Sequence, residues 1–348
     1  MRLCEAKTWG EDLARAAASI PEGAPVPGTY LVTGASGLIG SALVELLLHL
    51  RDQCGKGIVV VAAGRSPERL ATRFGKRDGL EFLEYDAMRP LAFDKNADFI
   101  VHAASNASPE LYVSDPCGTL EANILGTREI LKFARSARTN KVLYVSSSEV
   151  YGVRRRPGPA AEDDYGSVNP LLVRSSYAEG KRAAEAICAA YASQYGVKAC
   201  VVRPGHIYGP TATASDKRVS SVFPRLAARG EALVLKSAGL QRRSYCHCLD
   251  CATAILAILA AGKTAEAYNV SNPSSVITIR EMAELVAEAG NVPLRCAEPT
   301  KDEKAAFNPM DDSSLNSERL LALGWHPAFD ARGGFTRTVA TLKEFSPQ

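Results

Sequence analysis

The apolar positions of this chain fall into two rhythms. Short, mostly continuous apolar runs occur at residues 30–32 (YLV), 58–62 (IVVVA), 81–85 (EFLEY), 98–102 (DFIVH) and 141–145 (KVLYV). Runs of this kind predict parallel strands buried on both faces. Between them lie longer stretches with apolar residues at helical spacing, at 41–50, 119–136 and 175–194. Further on, 217–230, 253–260, 278–289 and 333–345 read as helices, and 232–235 and 267–270 as strands. Thr278 stands ahead of Glu281 at the spacing of a capping box. Strands alternating with helices at this interval predict an α/β protein built on a doubly wound parallel sheet, with ligands at the carboxyl ends of the strands. Ahead of the first strand, Trp9, Leu13, Ala16, Ala17 and Ile20 make a short amphipathic stretch that PEGAPVPG stops. This N-terminal extension, residues 1–27, is expected to lay a helix against the outside of the sheet.

The first run ends at Thr33-Gly34, and glycines follow at 34, 37 and 40 before the first long helix. A strand, tight turn and helix in this order point backbone N–H groups and the positive end of the helix dipole at a phosphate. Gly34 permits the turn's dihedrals, Gly37 lets a pyrophosphate approach the backbone, and Gly40 lets helix and strand pack closely. Such a turn can also serve tight packing alone, but its place between an apolar strand and an apolar helix favours dinucleotide binding, with Ser36, Leu38 and Ile39 on the same loop. Residues 28–210 are therefore expected to form a Rossmann-like dinucleotide-binding domain. The character of the chain changes near residue 211, and 211–348 is expected to be mainly a smaller C-terminal α/β substrate-binding lobe, with a segment at about 240–270 crossing back.

The ends of the later strands carry further candidates. After the second strand comes AAGRS, residues 62–66, without the acidic residue that holds the ribose hydroxyls in an NAD site. Arg65 and Ser66 can hold a 2′-phosphate, or Arg65 can be a solvated surface arginine, so NAD and NADP stand level. Asp86, followed by Ala87, is placed to accept from an adenine amino group, or to open a turn. After the fourth strand, Ala103, Ala104 and Ser105 leave room for a cofactor, and His102 reads as a packed strand-end histidine. Asn123 lies in the helix that follows. The fifth strand runs into SSSEVYG, residues 146–152, and the helix at 175–194 carries Tyr177 and Lys181 four residues apart, on one face. An ammonium beside a phenol stabilises the phenolate and is expected to lower its pKa from about 10 toward the working range. Tyr177 can then take a hydroxyl proton while a hydride leaves for a nicotinamide. A Tyr/Lys pair at this spacing is commonly structural; the glycine turn and the serine at the strand end give it weight. Gly180, mid-helix, points to a close backbone approach.

Composition narrows the classes. The 348 residues are 46% hydrophobic and 23% charged, as in an ordinary globular protein. Lys and Arg together number 41 against 38 Asp and Glu, too small an excess to argue for nucleic acid. No apolar run reaches the roughly 18 residues of a membrane span, and the N-terminus lacks a signal-peptide core. A cytoplasmic protein is expected, with its nine cysteines reduced. Cys246, His247, Cys248 and Cys251 cluster, but no second ligand pair stands out, and no metal is expected. Arg218, Arg242 and Arg243 form a local basic set suited to a diphosphate.

Taken in order, TGASGLIG, HAASNASP, DPCGTLEANILGT, VSSSEVYG, YAEGK and RPGHIYGP resemble the extended short-chain dehydrogenases/reductases that modify nucleotide sugars, over residues 30–345. Within that family the likeness is to UDP-glucuronate decarboxylases, through HAASNASPELYVSDP, VNPLLVRSSYAEGKRAAE and Arg243-Ser244-Tyr245 followed by Asp250. The resemblance implies that Tyr177 is the base for the sugar 4-hydroxyl, that Lys181 tunes it and binds the nicotinamide ribose, that Ser147 shares the proton, and that Glu149 sits near C5. It places Pro204, His206 and Ile207 at the cofactor, and Ser108, Ser148, Arg174, His206, Arg218 and Arg243 at the substrate, a UDP-sugar by preference. Dehydratases of the family carry Asp immediately before the strand-five Glu; Ser148 stands here and argues against dehydration. His206 occupies a position where relatives often have Asn, and Val222-Phe223 lacks the decarboxylase-like Asn. The resemblance also implies a homodimer through the helices at 119–136 and 175–194. Alternatives are a 4-epimerase, an NADP-dependent 4-keto reductase, and, from another class, a dinucleotide-sensing regulator without catalysis.

Overall fold

β1 (Gly28–Thr33) lies mid-sheet, flanked by strands from both halves of the domain, in a computed structural model that describes residues 2–55, 57–108, 110–154, 156–300 and 310–345. It is followed by β2 (Ile58–Gly64), β3 (Leu80–Glu84), β4 (Phe99–His102), β5 (Lys141–Val145) and β6 (Ala199–Pro204). The chain then makes β7 (His206–Tyr208), β8 (Leu233–Leu235) and β9 (Arg242–His247) before β10 (Ala267–Val270) returns to the large sheet. That sheet has seven strands in the order β10-β6-β5-β4-β1-β2-β3, and every neighbouring pair is parallel. The order reverses between β1 and β4, so a crevice opens above their carboxyl ends.

Alternate residues of each strand feed two cores. Val32 and Val60 face the layer of α2 (Leu38–Cys54), where Leu43 and Leu47 are fully buried. Leu31, Ile100 and Tyr144 face α5 (Pro116–Ser136) and α6 (Ser176–Tyr195), packed through Ile130, Leu131 and Ala184. The two helices approach closely at Gly180, where an added Cβ would lie 3.3 Å from Asn123 Cβ and 3.4 Å from Leu120 Cδ1. A third core, with Phe223, Met282, Val286 and Phe335, belongs to the smaller lobe. Its helix at Ile279–Gly290 opens with the capping box of Thr278 and Glu281. Of the lobe expected over 211–348, residues 301–309 and 346–348 lie outside the described residues.

Two elements depart from the sequence expectations. The helix Pro67–Phe74 was not legible from apolar spacing; Ser66 caps it, accepting from Arg69 N at 3.2 Å, and Pro67 opens it. The extension's helix, Lys7–Ala18, lies on the helical layer rather than against the sheet, touching α2, the helix Cys248–Ala261 and the C-terminal helix Ala331–Phe345. Trp9, Leu13 and Ala16 are buried there, and Arg337 of the C-terminal helix pairs with the buried Asp12 and with Glu11. The extension thus joins the large domain to the smaller lobe. Trp9→Ala is expected to cost about 3–5 kcal/mol in chemical denaturation; a loss below ~1 kcal/mol would mark the extension as a loose appendage. No helix among the described residues is long and apolar enough to cross a membrane.

Candidate active site

Gly34 adopts φ +67°, and a Cβ there would lie 2.6 Å from the Ala103 carbonyl oxygen, so only glycine fits where β1 turns beside the end of β4. Gly40 is packed under the Gly34 carbonyl and Ala35. Gly37 differs: its Cβ would meet only Gly34 O, at 3.2 Å, and otherwise faces open space. No side chain caps the α2 N-terminus, formed by Gly37, Leu38 and Ile39 next to Ser36, which leaves its first-turn amides to an anion.

Around this cradle stand the other expected residues. Arg65 is exposed, and Ser66 is committed to its helix cap, with its hydroxyl donating to Glu68 at 2.8 Å. The Asp86 carboxylate accepts from Met88 N at 3.0 Å, and Ala87 lies 3.0 Å from where Gly126 would carry a Cβ. Ala104 N donates to Thr33 Oγ1 at 3.3 Å. Ser105 Oγ donates to the buried Asn123 at 2.9 Å. His102 is packed against Thr33, Nδ1 to Oγ1 2.8 Å, and burial pushes it down to about 3.

Ser147 closes β5 and caps a single tight turn, Ser148–Tyr151, accepting from Glu149 N at 3.2 Å. Tyr177 in the first turn of α6 is buried, with Ser147 beside its phenol, and stacked on Tyr112 with ring centroids 4.2 Å apart. Lys181 Nζ donates to Val145 O at 2.7 Å and lies 5.7 Å from the Tyr177 ring centroid and 4.8 Å from that of Tyr144. The four expected catalytic groups are therefore neighbours. One expectation is corrected. The phenol of Tyr177 is held above its ordinary value, not below it, because burial outweighs the opposing effect of the neighbouring Ser147. Burial acts on Lys181 too and pushes its ammonium down to about 7.

Glu149 is gripped by both terminal nitrogens of Arg174, at 3.1 and 3.2 Å. Arg243 is buried, and among the described residues its guanidinium is bonded only to the backbone carbonyls of Arg242 (2.8 Å) and Asp311 (3.4 Å). Arg218 is bound to Asp216. Arg242 leaves the expected basic set: it alternates with Arg243 on β9, is exposed, and donates to Val276 O. His206 lies edge-on to Tyr245, with its buried Nδ1 unpartnered among the described residues, and burial with Arg243 and Arg218 nearby pushes it down to about 3. Pro204 ends β6 and Ile207 is buried in β7, on either side of it. Ser148 is buried, and the Ser108 carbonyl accepts from Leu111 N in a turn. Cys246 and His247 end β9, Cys248 and Cys251 sit in the next helix, and the His247 ring accepts from Leu249 N. Tyr112 and Asp216 were not foreseen: Tyr112 comes from a four-residue helix turn, and only the two-residue spacing to Arg218 marks Asp216.

A family model for the NAD dependent epimerase/dehydratase family matches residues 30–271. The chain belongs to that family. UDP-glucuronic acid decarboxylase 6 of Arabidopsis thaliana is 35% identical over 309 residues, 87% of this chain and 85% of its own length. Among solved structures, DesIV, a dTDP-glucose 4,6-dehydratase from Streptomyces venezuelae with NAD bound, superposes with TM-score 0.77 at 25% identity, covering 91% of this chain and 97% of its own. The UDP-glucose 4-epimerase of Thermus thermophilus with NAD gives 0.72 at 26% identity, covering 90% and 99%. As a member of the family, the chain carries the glycine turn and the Tyr177/Lys181 pair inside one matched segment.

Proposed function

We propose that this protein is a nucleotide-sugar enzyme of the UDP-glucuronate decarboxylase type, with NAD as its cofactor. The observation that carries this is the convergence of Ser147, Glu149, Tyr177 and Lys181 in a chain 35% identical to a UDP-glucuronic acid decarboxylase, with Ser148 in place of the dehydratase acid. NAD fits the residues present: Gly34, Gly37 and Gly40 leave a cradle that side chains would fill, the α2 N-terminus is uncapped, and Ser66 is not free to hold a 2′-phosphate. When bound, NAD supplies a hydride acceptor at the sugar C4 and later returns the hydride.

Tyr177 takes the proton of the 4-hydroxyl, with Ser147 bridging phenol and sugar oxygen. Lys181, low in its own pKa through burial, alternates between holding and yielding charge beside that phenol. Glu149, oriented by the Arg174 fork, serves the C5 side, where a 4-ketone next to a carboxylate-bearing carbon makes loss of carbon dioxide easy. Arg243, whose charge has no acidic partner at hydrogen-bond distance among the described residues, suits the diphosphate. Pairing of two copies through α5 and α6, and a cytoplasmic site of action, complete the proposal. The likeness to the Thermus thermophilus epimerase keeps C4 epimerisation as the second reading.

The purified protein incubated with UDP-glucuronate and a panel of UDP-, dTDP-, CDP- and GDP-sugars is expected to release one carbon dioxide from UDP-glucuronate, seen by mass spectrometry. Unchanged mass with an inverted C4 in NMR gives the epimerase reading, and loss of one water overturns both.

A further inference from the structure

Behind Tyr177 and Lys181 the same face of α6 continues one turn further to Glu185, a half-buried hub the proposed reaction does not use. Its carboxylate accepts from Ser146 Oγ at 2.5 Å and from Arg203 Nε and Nη2 at 2.9 and 2.6 Å. Arg203, 1% exposed, also donates to the Tyr151 hydroxyl at 3.0 Å and to Glu162 O at 2.7 Å. Tyr151 in turn donates to Asn269 of β10 at 2.5 Å. Ser146 joins Val145, whose carbonyl receives the Lys181 ammonium, to Ser147, which lies beside the Tyr177 phenol. Arg182, adjacent to Lys181, donates to Val150 O at 2.7 Å on the far side of the Ser148–Tyr151 turn. Lys181, Arg182 and Glu185, within little more than one turn of α6, therefore grip the segment that carries Ser147 and Glu149.

We infer that Glu185 is a positioning residue for the reaction: it anchors the end of β5 through Ser146 and supplies the negative charge that Lys181 faces. The titratable groups turned toward Lys181 are Tyr177, Glu185 and Cys188 on its own helix, Tyr144 on β5 and His102 on β4. His102 is neutral near pH 7, and burial keeps the Tyr144 and Cys188 side chains protonated. Glu185, locked against the Arg203 guanidinium, is the anion of the group, and its pull opposes the burial that drives the Lys181 ammonium down. A plain structural ion pair would need Glu185 only to neutralise Arg203; the bond to Ser146 and the placement one turn from Lys181 go beyond that.

The inference rests on the functional reading above, and two variants separate them. Glu185→Gln removes the anion but leaves Arg203 buried and unpaired. Glu185→Gln combined with Arg203→Met removes both charges and keeps a folded comparison, since replacing a whole buried pair is tolerated far better than breaking it. NADH binding followed by fluorescence, and turnover of UDP-glucuronate, are measured from pH 5.5 to 9.5. The raised side of the pH range is where Lys181 loses its proton, so both variants are expected to lose binding and turnover about one pH unit lower than the wild type, roughly a tenfold deficit at alkaline pH that shrinks on acidification. A double variant with the wild-type pH dependence overturns the inference, because Glu185 then only neutralises Arg203. A wild type that binds no NADH overturns the functional reading and this inference together.

Discussion

Tyr177→Phe is expected to lower turnover of UDP-glucuronate by about 10²–10⁴-fold, the range for loss of a positioned proton acceptor. The change deletes one hydroxyl and keeps the ring, so the 4.2 Å stack on Tyr112 and the packing of the first turn of α6 remain. NADH binding should therefore hold within a few-fold, and the loss should fall on kcat. Kinetics with parallel fluorescence titration check both points. A variant turning over within a few-fold of wild type removes Tyr177 from the chemistry; one that also keeps full biological activity revives the regulator that binds a dinucleotide without reacting. Because burial holds the phenol above its ordinary value, it keeps its proton through the neutral range, and the pH dependence of wild-type activity there should follow Lys181 instead. Activity should fall once Lys181 discharges, above about 7.

The second large effect separates folding from binding in the glycine turn. Gly34→Ala forces a Cβ to 2.6 Å from the Ala103 carbonyl oxygen at φ +67°. A left-handed non-glycine residue costs about 1–2 kcal/mol and overpacking about 1–3, so ~2–5 kcal/mol of stability is expected to disappear. Gly37→Ala, three residues on, has an ordinary φ of −78° and meets only Gly34 O at 3.2 Å. Its Tm should barely move while NADH affinity falls, because its Cβ projects where the pyrophosphate would approach. Denaturation and NADH titration of the two variants decide this. Equal stability for both would mean that the turn relaxes, and full NADH affinity in Gly37→Ala would take the pyrophosphate away from this loop.

Much of the fold was legible because its signals are local. The runs at 141–145 and 267–270 became strands with those bounds, since short, mostly apolar runs rich in β-branched and aromatic residues suit the buried faces of a sheet. The helix Pro67–Phe74 escaped notice because eight residues with charges at three positions carry too few apolar points to show a period. Its cap, Ser66, is one of the two residues, with Arg65, that the sequence offered to a 2′-phosphate, and the helix withdraws it. The Tyr177/Lys181 pair was visible as spacing, but the sign of its electrostatics was not. Spacing says that an ammonium is near a phenol; only the packing of Tyr112, Tyr144 and α5 around them says how little water remains.

By itself the sequence determined the alternation of strands and helices, the glycine turn and the four-residue spacing of Tyr177 and Lys181, since each depends on residues close together along the chain. Tertiary structure alone decided that Glu149 is held by Arg174, that Arg243 faces inward while Arg242 faces out, and that Glu185 meets both Arg203 and Ser146. Those partners are 25, 18 and 39 residues apart, and their meeting depends on sheet order and burial, which no stretch of local pattern encodes.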